Sequence, residues 1–272
     1  MATPRVIVLR APGTNCDQEA AFAFESAGGK AQVLHLNRVL EKPSLLAETQ
    51  ILCVPGGFSY GDDLSAGRIF GNQIRHHLAG AMREFKAAGK LILGICNGFQ
   101  IIIKSGVLLP DHAAEPIATL TNNDSGKFEC RWVQLAVQGN KSVFLQGIER
   151  MYVPIAHAEG KFVARDEATL NQLEQAGQLC LRYHPQNETE VSPGSTLGMQ
   201  TSVSNLPLPY PINPNGAQRN VAGVCDETGR VLGLMPHPER HVDPTQHPRW
   251  TREKKERGEG LALFENAVRY FG

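Results

Sequence analysis

Residues 91–100 read Leu91-Ile92-Leu93-Gly94-Ile95-Cys96-Asn97-Gly98-Phe99-Gln100, an apolar run that breaks on glycine, presents a cysteine and breaks on glycine again. A sulfur in that setting can serve as a nucleophile. In a G-x-C-x-G turn the flanking glycines let a buried strand bend sharply into a helix, which lifts the central side chain out of the sheet edge under backbone strain. Cys96 would then stand at a helix N-terminus, where free N–H groups and the helix dipole favour negative charge and can stabilise an oxyanion. Taken alone, the five residues suit an ordinary buried cysteine before a turn equally well. The motif needs partners.

A nucleophilic cysteine needs a base to take its proton and a third group to orient that base. After the apolar run Val231-Leu232-Gly233-Leu234-Met235 comes Pro236-His237-Pro238-Glu239-Arg240, with an imidazole and a carboxylate two residues apart at a strand's carboxyl end. In extended backbone such residues face the same side, so Glu239 is expected to reach His237 while the other ring nitrogen faces the thiol. Pro55-Gly56-Gly57 allows close backbone approach, so the N–H of Gly57 or Phe58 would join that of Asn97 as an oxyanion hole. A surface turn explains either stretch in isolation. Together with the elbow they form a candidate triad and its anion site.

These groups must be positioned by strands. The first hundred residues alternate short β-branched runs (5–9, 31–36, 51–54 and 91–95) with helical patterns (17–27 and 68–88), which predicts a parallel sheet with crossover helices. Such sheets carry their sites at the carboxyl ends of strands, where the loops after Leu9, Val54 and Ile95 would meet. Beyond Pro110 further strands are expected at 131–137, 152–156, 179–183, 221–225 and 231–235, adding antiparallel neighbours. Residues 185–219 are rich in Pro, Asn, Ser and Gly and read as a long loop or an insertion without regular structure. The charge run Arg252-Glu253-Lys254-Lys255-Glu256-Arg257 reads as a solvated helix start, followed by an amphipathic closing helix over 260–271.

The 272 residues suffice for one large domain with a full core. Its 27 basic and 27 acidic residues cancel, so no polyanion-binding surface, and hence no nucleic acid, is expected. No apolar run approaches the roughly 20 residues that span a bilayer, and the opening is too short for a signal peptide, so no membrane partner is expected. Six cysteines without a C-x-x-C pair point to free thiols in a reducing cytoplasm, and no metal site is expected. His76, His77, His241 and His247 are poor ligand candidates.

Three motifs together, Gly94-Ile95-Cys96-Asn97-Gly98-Phe99-Gln100, Pro55-Gly56-Gly57-Phe58-Ser59-Tyr60-Gly61-Asp62 and Pro236-His237-Pro238-Glu239-Arg240, resemble the class I glutamine amidotransferases. More narrowly, they are similar to the glutaminase subunits of phosphoribosylformylglycinamidine synthase. Pro12-Gly13-Thr14-Asn15-Cys16-Asp17, Ser125-Gly126-Lys127-Phe128-Glu129-Cys130-Arg131 and Pro154-Ile155-Ala156-His157-Ala158-Glu159-Gly160 extend the likeness over nearly the whole chain. The resemblance implies a flavodoxin-like three-layer α/β sandwich, mainly parallel with added antiparallel strands, in a single domain over 1–272. It also implies that Cys96 attacks the side-chain amide of L-glutamine, His237 shuttles the proton, Glu239 holds the imidazole, and Gln100, His157 and Gly160 help to hold the substrate.

Ammonia would pass to a synthetase subunit that uses ATP and magnesium to convert formylglycinamide ribonucleotide to the amidine, with room for a small bridging subunit. No cofactor is expected in this chain, which has no G-x-x-x-x-G-K-[ST] loop and no dinucleotide fingerprint. A cysteine hydrolase of the DJ-1/PfpI group and a non-catalytic partner-binding domain are the alternatives. The chain departs from the family pattern at Ala158, where the relatives typically carry glycine; a positive φ there would make the methyl group cost of order 1 kcal/mol.

Overall fold

Strands buried on both faces must be covered by helices, and only a crossover returns the chain in the same direction. The computed structural model describes residues 3–110, 115–185 and 206–272. Its first part runs β1 (Arg5–Arg10), α1 (Asp17–Ser26), β2 (Lys30–His35), α2 (Leu36–Glu41) and β3 (Ile51–Val54). Next come α3 (Arg68–Gln73), which passes through a π turn (Ile74–Leu78) into α4 (Ala79–Ala87), then β4 (Leu91–Ile95) and α5 (Asn97–Lys104). The remainder comprises β5 (Ala118–Thr121), β6 (Glu129–Val137), β7 (Arg150–His157), β8 (Lys161–Ala164), α6 (Glu167–Gln175), β9 (Leu181–His184), β10 (Val221–Cys225), β11 (Val231–Leu234) and α7 (Leu261–Arg269).

Among the described residues nine strands form one sheet in the order β2-β1-β3-β4-β11-β10-β9-β6-β7. The first five pair in parallel, in the strand order of flavodoxin-like folds. The other four extend the sheet antiparallel, as the irregular second half of the sequence leads one to expect. β3 and β4 are buried at every position, which is why they read as unbroken apolar runs. α1 and α7 pack together, with Phe24 edge-on to Phe264 at a ring-centroid separation of 4.9 Å. No helix among the described residues is long and apolar enough to cross a membrane.

The loops that leave β1, β3 and β4 do converge. Cys16 N–H donates to Gly56 O (3.3 Å), Phe58 N–H to Gly13 O (2.9 Å) and Tyr60 N–H to Pro12 O (2.7 Å). These bonds stitch the first loop to the third strand's loop beside the elbow.

The structure corrects the sequence reading at four places. Leu36 opens α2 instead of closing a strand, with His35 as the N-cap accepting from Asn37 N–H. β5, β8 and α6 lie where no element was expected; the two strands are short, four residues each, and pair only with one another. The charge run at 252–257 forms turns, and the closing helix starts only at Leu261, because Gly258 and Gly260 are hydrogen-bonded to the 241–242 backbone. Most of the 185–219 stretch lies outside the described residues, but 206–219 is tied down: Asn220 Oδ1 accepts from Leu208 N–H (2.8 Å) and its Nδ2 donates to Leu206 O (2.9 Å).

Candidate active site

Cys96 sits between β4 and α5 with φ 53° and ψ −108°, a conformation that side chains seldom adopt. The strain of the elbow falls on the central cysteine, as the sequence leads one to expect. Gly94 and Gly98 are not the residues at positive φ. They are bare because the turn is tight: a β-carbon on Gly98 would stand 1.7 Å from Val54 O, and one on Gly94 2.7 Å from Gly98 O. The glycines let α5 press against the end of β3, and Cys96 takes the distortion. Its buried thiol donates to Ala156 O across 3.6 Å.

His237 follows β11 and is anchored by its N–H on Pro154 O (2.8 Å). Its Nδ1 lies 2.6 Å from Glu239 Oε1, with both side chains buried. The contact is made by a tight 3₁₀ turn over Pro238–Arg240, and not by the strand alternation that the sequence suggested. Burial pulls the imidazole pKa down, but the Glu239 carboxylate and the Cys96 and Cys16 thiols outweigh it and hold His237 well above its ordinary range. That ring therefore accepts and keeps a proton readily.

The expected anion site loses one member. Phe58 N–H is spent on Gly13 O, whereas the N–H of Gly57 has no acceptor among the described residues. Asn97 opens α5, so its N–H lacks an intrahelical partner. Gly57 itself stands at φ 138°, which fits only glycine comfortably.

Gln100, His157 and Gly160 are brought to the same side, but their polar groups are largely engaged within the protein. Gln100 Nε2 donates to Glu159 O (2.5 Å) and its Oε1 accepts from Asn97 Nδ2 (2.9 Å). Asn97 in turn accepts from Ser59 Oγ (2.6 Å) and donates to Asp62 Oδ1 (3.1 Å). Gly160 N–H donates to Asn123 Oδ1 (3.0 Å), and a β-carbon on Gly160 would lie 2.2 Å from His157 Cε1. His157 pairs Nδ1 with Asn123 Oδ1 (3.2 Å) and leaves Nε2 without a partner among the described residues. Burial, reinforced by the nearby His237, pushes its pKa down to about 3, so it is a neutral imidazole. These residues build and hold the 157–160 loop over the elbow. Ala158 is not at positive φ, so its methyl group brings no backbone strain.

Comparison with known proteins agrees with this arrangement. The model of the CobB/CobQ-like glutamine amidotransferase domain matches residues 3–271. A phosphoribosylformylglycinamidine synthase subunit PurQ from Dehalococcoides mccartyi is 45% identical over 272 residues, covering 99% of this chain and 98% of that one. A PurQ from Treponema denticola is 38% identical, with 98% of each chain covered. The solved structure of PurLQS from Thermotoga maritima contains a chain that superposes with a TM-score of 0.71 at 31% identity, over 100% of both chains. The chain belongs to the glutamine amidotransferase family, on its PurQ branch.

Three further buried groups shape the site of this amidotransferase and were not singled out from sequence. Asn123 is the hub of the 157–160 loop, since besides its Oδ1 contacts its Nδ2 donates to His157 O (2.9 Å) and to Lys127 O (2.9 Å). Asn215 Nδ2 donates to Gly160 O (2.7 Å) and to the hydroxyl of Tyr183 (3.0 Å), a buried β9 residue. The signal available was Asn213-Pro214-Asn215-Gly216, a turn signature in its own right. Cys16 stood in a motif that carried the family likeness, with no role attached.

Proposed function

We propose that this amidotransferase hydrolyses the side-chain amide of L-glutamine and delivers ammonia to a synthetase subunit, as the glutaminase component of phosphoribosylformylglycinamidine synthase. The observation that carries the reading is the strained Cys96 beside a His237 whose far nitrogen is held at 2.6 Å by Glu239. Cys96 sulfur attacks the amide carbon while its proton passes to His237 Nε2. The oxyanion that forms is received by the Gly57 and Asn97 N–H groups, and donors aimed at developing charge in a buried site are worth a few kcal/mol each. His237 then protonates the departing nitrogen, which leaves as ammonia. A water, deprotonated by the same imidazole, hydrolyses the glutamyl thioester. Glu239 fixes the ring and stabilises its protonated form throughout.

Asn97, Gln100, His157 and Gly160 serve this chemistry by holding the elbow, the 59–62 loop and the 157–160 loop in one frame around the substrate. The ATP and magnesium needed for amidine formation are assigned to the synthetase, because this chain carries no G-x-x-x-x-G-K-[ST] loop. A small bridging subunit and a cytoplasmic setting fit the same reading. A glutamine-analogue electrophile, applied with and without the synthetase and mapped by mass spectrometry, tests it. The expected adduct is on Cys96; an adduct elsewhere, or none with the partner present, would overturn the assignment.

A further inference from the structure

The loop after β1 brings a second thiol to the site. Cys16, just ahead of α1, is buried, with Sγ 3.2 Å from Arg240 Nη2 and 3.1 Å from Asn15 Oδ1. Ligand atoms of Cys16, His237 and Glu239 all lie within 4.8 Å of one another. A β-carbon on Gly56 would meet His237 Cε1 at 2.8 Å, Cys16 Sγ at 3.1 Å and Cys96 Cβ at 3.4 Å, so the two cysteines and the ring converge over one bare stretch of backbone. His237 Nε2 and Glu239 Oε2 are buried without hydrogen-bond partners among the described residues. The proposed hydrolysis engages Nε2 with Cys96 and gives Cys16 no task.

A thiolate and an imidazole, backed by a carboxylate, form a donor set suited to zinc. An imidazole whose Nδ1 is bound to a carboxylate presents Nε2 as a ligand, which is the arrangement that recurs behind zinc-bound histidines. We propose that Cys16 and His237, with Glu239 behind the ring, bind Zn²⁺, and that the bound ion halts glutamine hydrolysis by occupying His237 Nε2. On binding, the Cys16 S–H proton and the proton held on His237 Nε2 are both released to solvent, one zinc–sulfur and one zinc–nitrogen bond form, and waters complete the coordination shell; nothing is oxidised or reduced. Arg240 can release the sulfur, because Glu19 Oε2 already offers it a second partner at 3.1 Å.

Zinc uptake follows from the geometry alone, whereas inhibition rests also on the proposed glutaminase reading, so the two are tested separately. For uptake, the full-length Cys96→Ala chain is stripped with chelator and titrated with Zn²⁺ against a chromophoric competitor, then with Co²⁺. One equivalent and a thiolate-to-cobalt charge-transfer band are expected, with zinc protecting Cys16 from alkylation in the mapped peptide. Adding Cys16→Ser should weaken zinc binding by at least about tenfold, since loss even of an outer-shell partner typically costs 10–100-fold. No uptake by Cys96→Ala, no cobalt–thiolate band, or equal uptake by the double variant overturns the site.

For inhibition, zinc is added to the wild-type complex and to the Cys16→Ser complex. The half-inhibiting concentration for glutamine-dependent synthesis should rise at least tenfold in the variant. An unchanged value overturns the regulatory claim even where zinc is bound.

Discussion

At the scale of single residues, the proposed chemistry is concentrated where the backbone is distorted and where buried polar atoms are left open. Cys96 occupies φ 53°, a conformation that costs of order 1–3 kcal/mol and persists only when its surroundings enforce it. Gly98 is part of that enforcement. Gly98→Ala would drive a methyl group to 1.7 Å from Val54 O, and a stability loss of roughly 1–3 kcal/mol in denaturant titration, with collapse of glutaminase activity, is expected. Glu239→Gln keeps the size but not the charge; the glutaminase kcat should fall by about 10²–10⁴-fold, the range general acid–base catalysis supplies, while synthesis from free ammonia persists.

His157 gives a pH signature. Its folded pKa lies at about 3 against the ordinary 6.5, so between those values the unfolded chain binds the extra proton. Stability is therefore lost as pH falls through that window, by about 1.4 kcal/mol per pH unit from this group. Ring NMR should show His157 still neutral at pH 5; titration near 6.5 would contradict the burial argument. Cys96, His237 and Glu239 were legible in the sequence because elbow and His-x-Glu patterns are local. Cys16, Asn123 and Asn215 were not, because their importance arises only when distant loops meet.

At the scale of elements, the site is a junction of three loops clamped by one side-chain network. Asn97 and Gln100, on the first turn of α5, tie the 59–62 loop to the backbone of Glu159. Gln100→Ala removes the donor to the half-buried Glu159 carbonyl and one of the two acceptors of the buried Asn97 amide, whose other acceptor is Asp62; a buried group left unpaired costs roughly 1–3 kcal/mol. The expected outcome in steady-state kinetics is a KM for glutamine raised several-fold, with a smaller change in kcat. An unchanged KM would mean that the 157–160 loop is held without this link.

The parallel strands could be read directly, since runs such as Ile51–Val54 and Leu91–Ile95 are apolar throughout and bounded by turn residues. β5 and β8 could not, because each is only four residues long, whereas α6 does carry local signals in its Asp166 N-cap and in Leu170 and Leu173, buried at helical spacing. The His237–Glu239 contact was foreseen, but its geometry was not, since prolines on either side of His237 favour a tight turn over extension.

At the scale of the whole molecule, two kinds of sheet divide the labour. The parallel strands β1, β3, β4 and β11 bring the proposed anion site, nucleophile and base together in loops at their carboxyl ends. The antiparallel strand β9 carries Tyr183, and β7 carries the Pro154 carbonyl that anchors His237 and, at its end, the start of the His157 loop. This body accounts for the release of ammonia from glutamine and leaves its consumption to another chain.

That division of labour is the central claim, and one variant tests it. Cys96→Ala, assembled with the synthetase, should make no amidine product from glutamine while retaining wild-type synthesis from ammonium salts. Retained glutamine-dependent synthesis, or equal loss of both activities, would contradict the account.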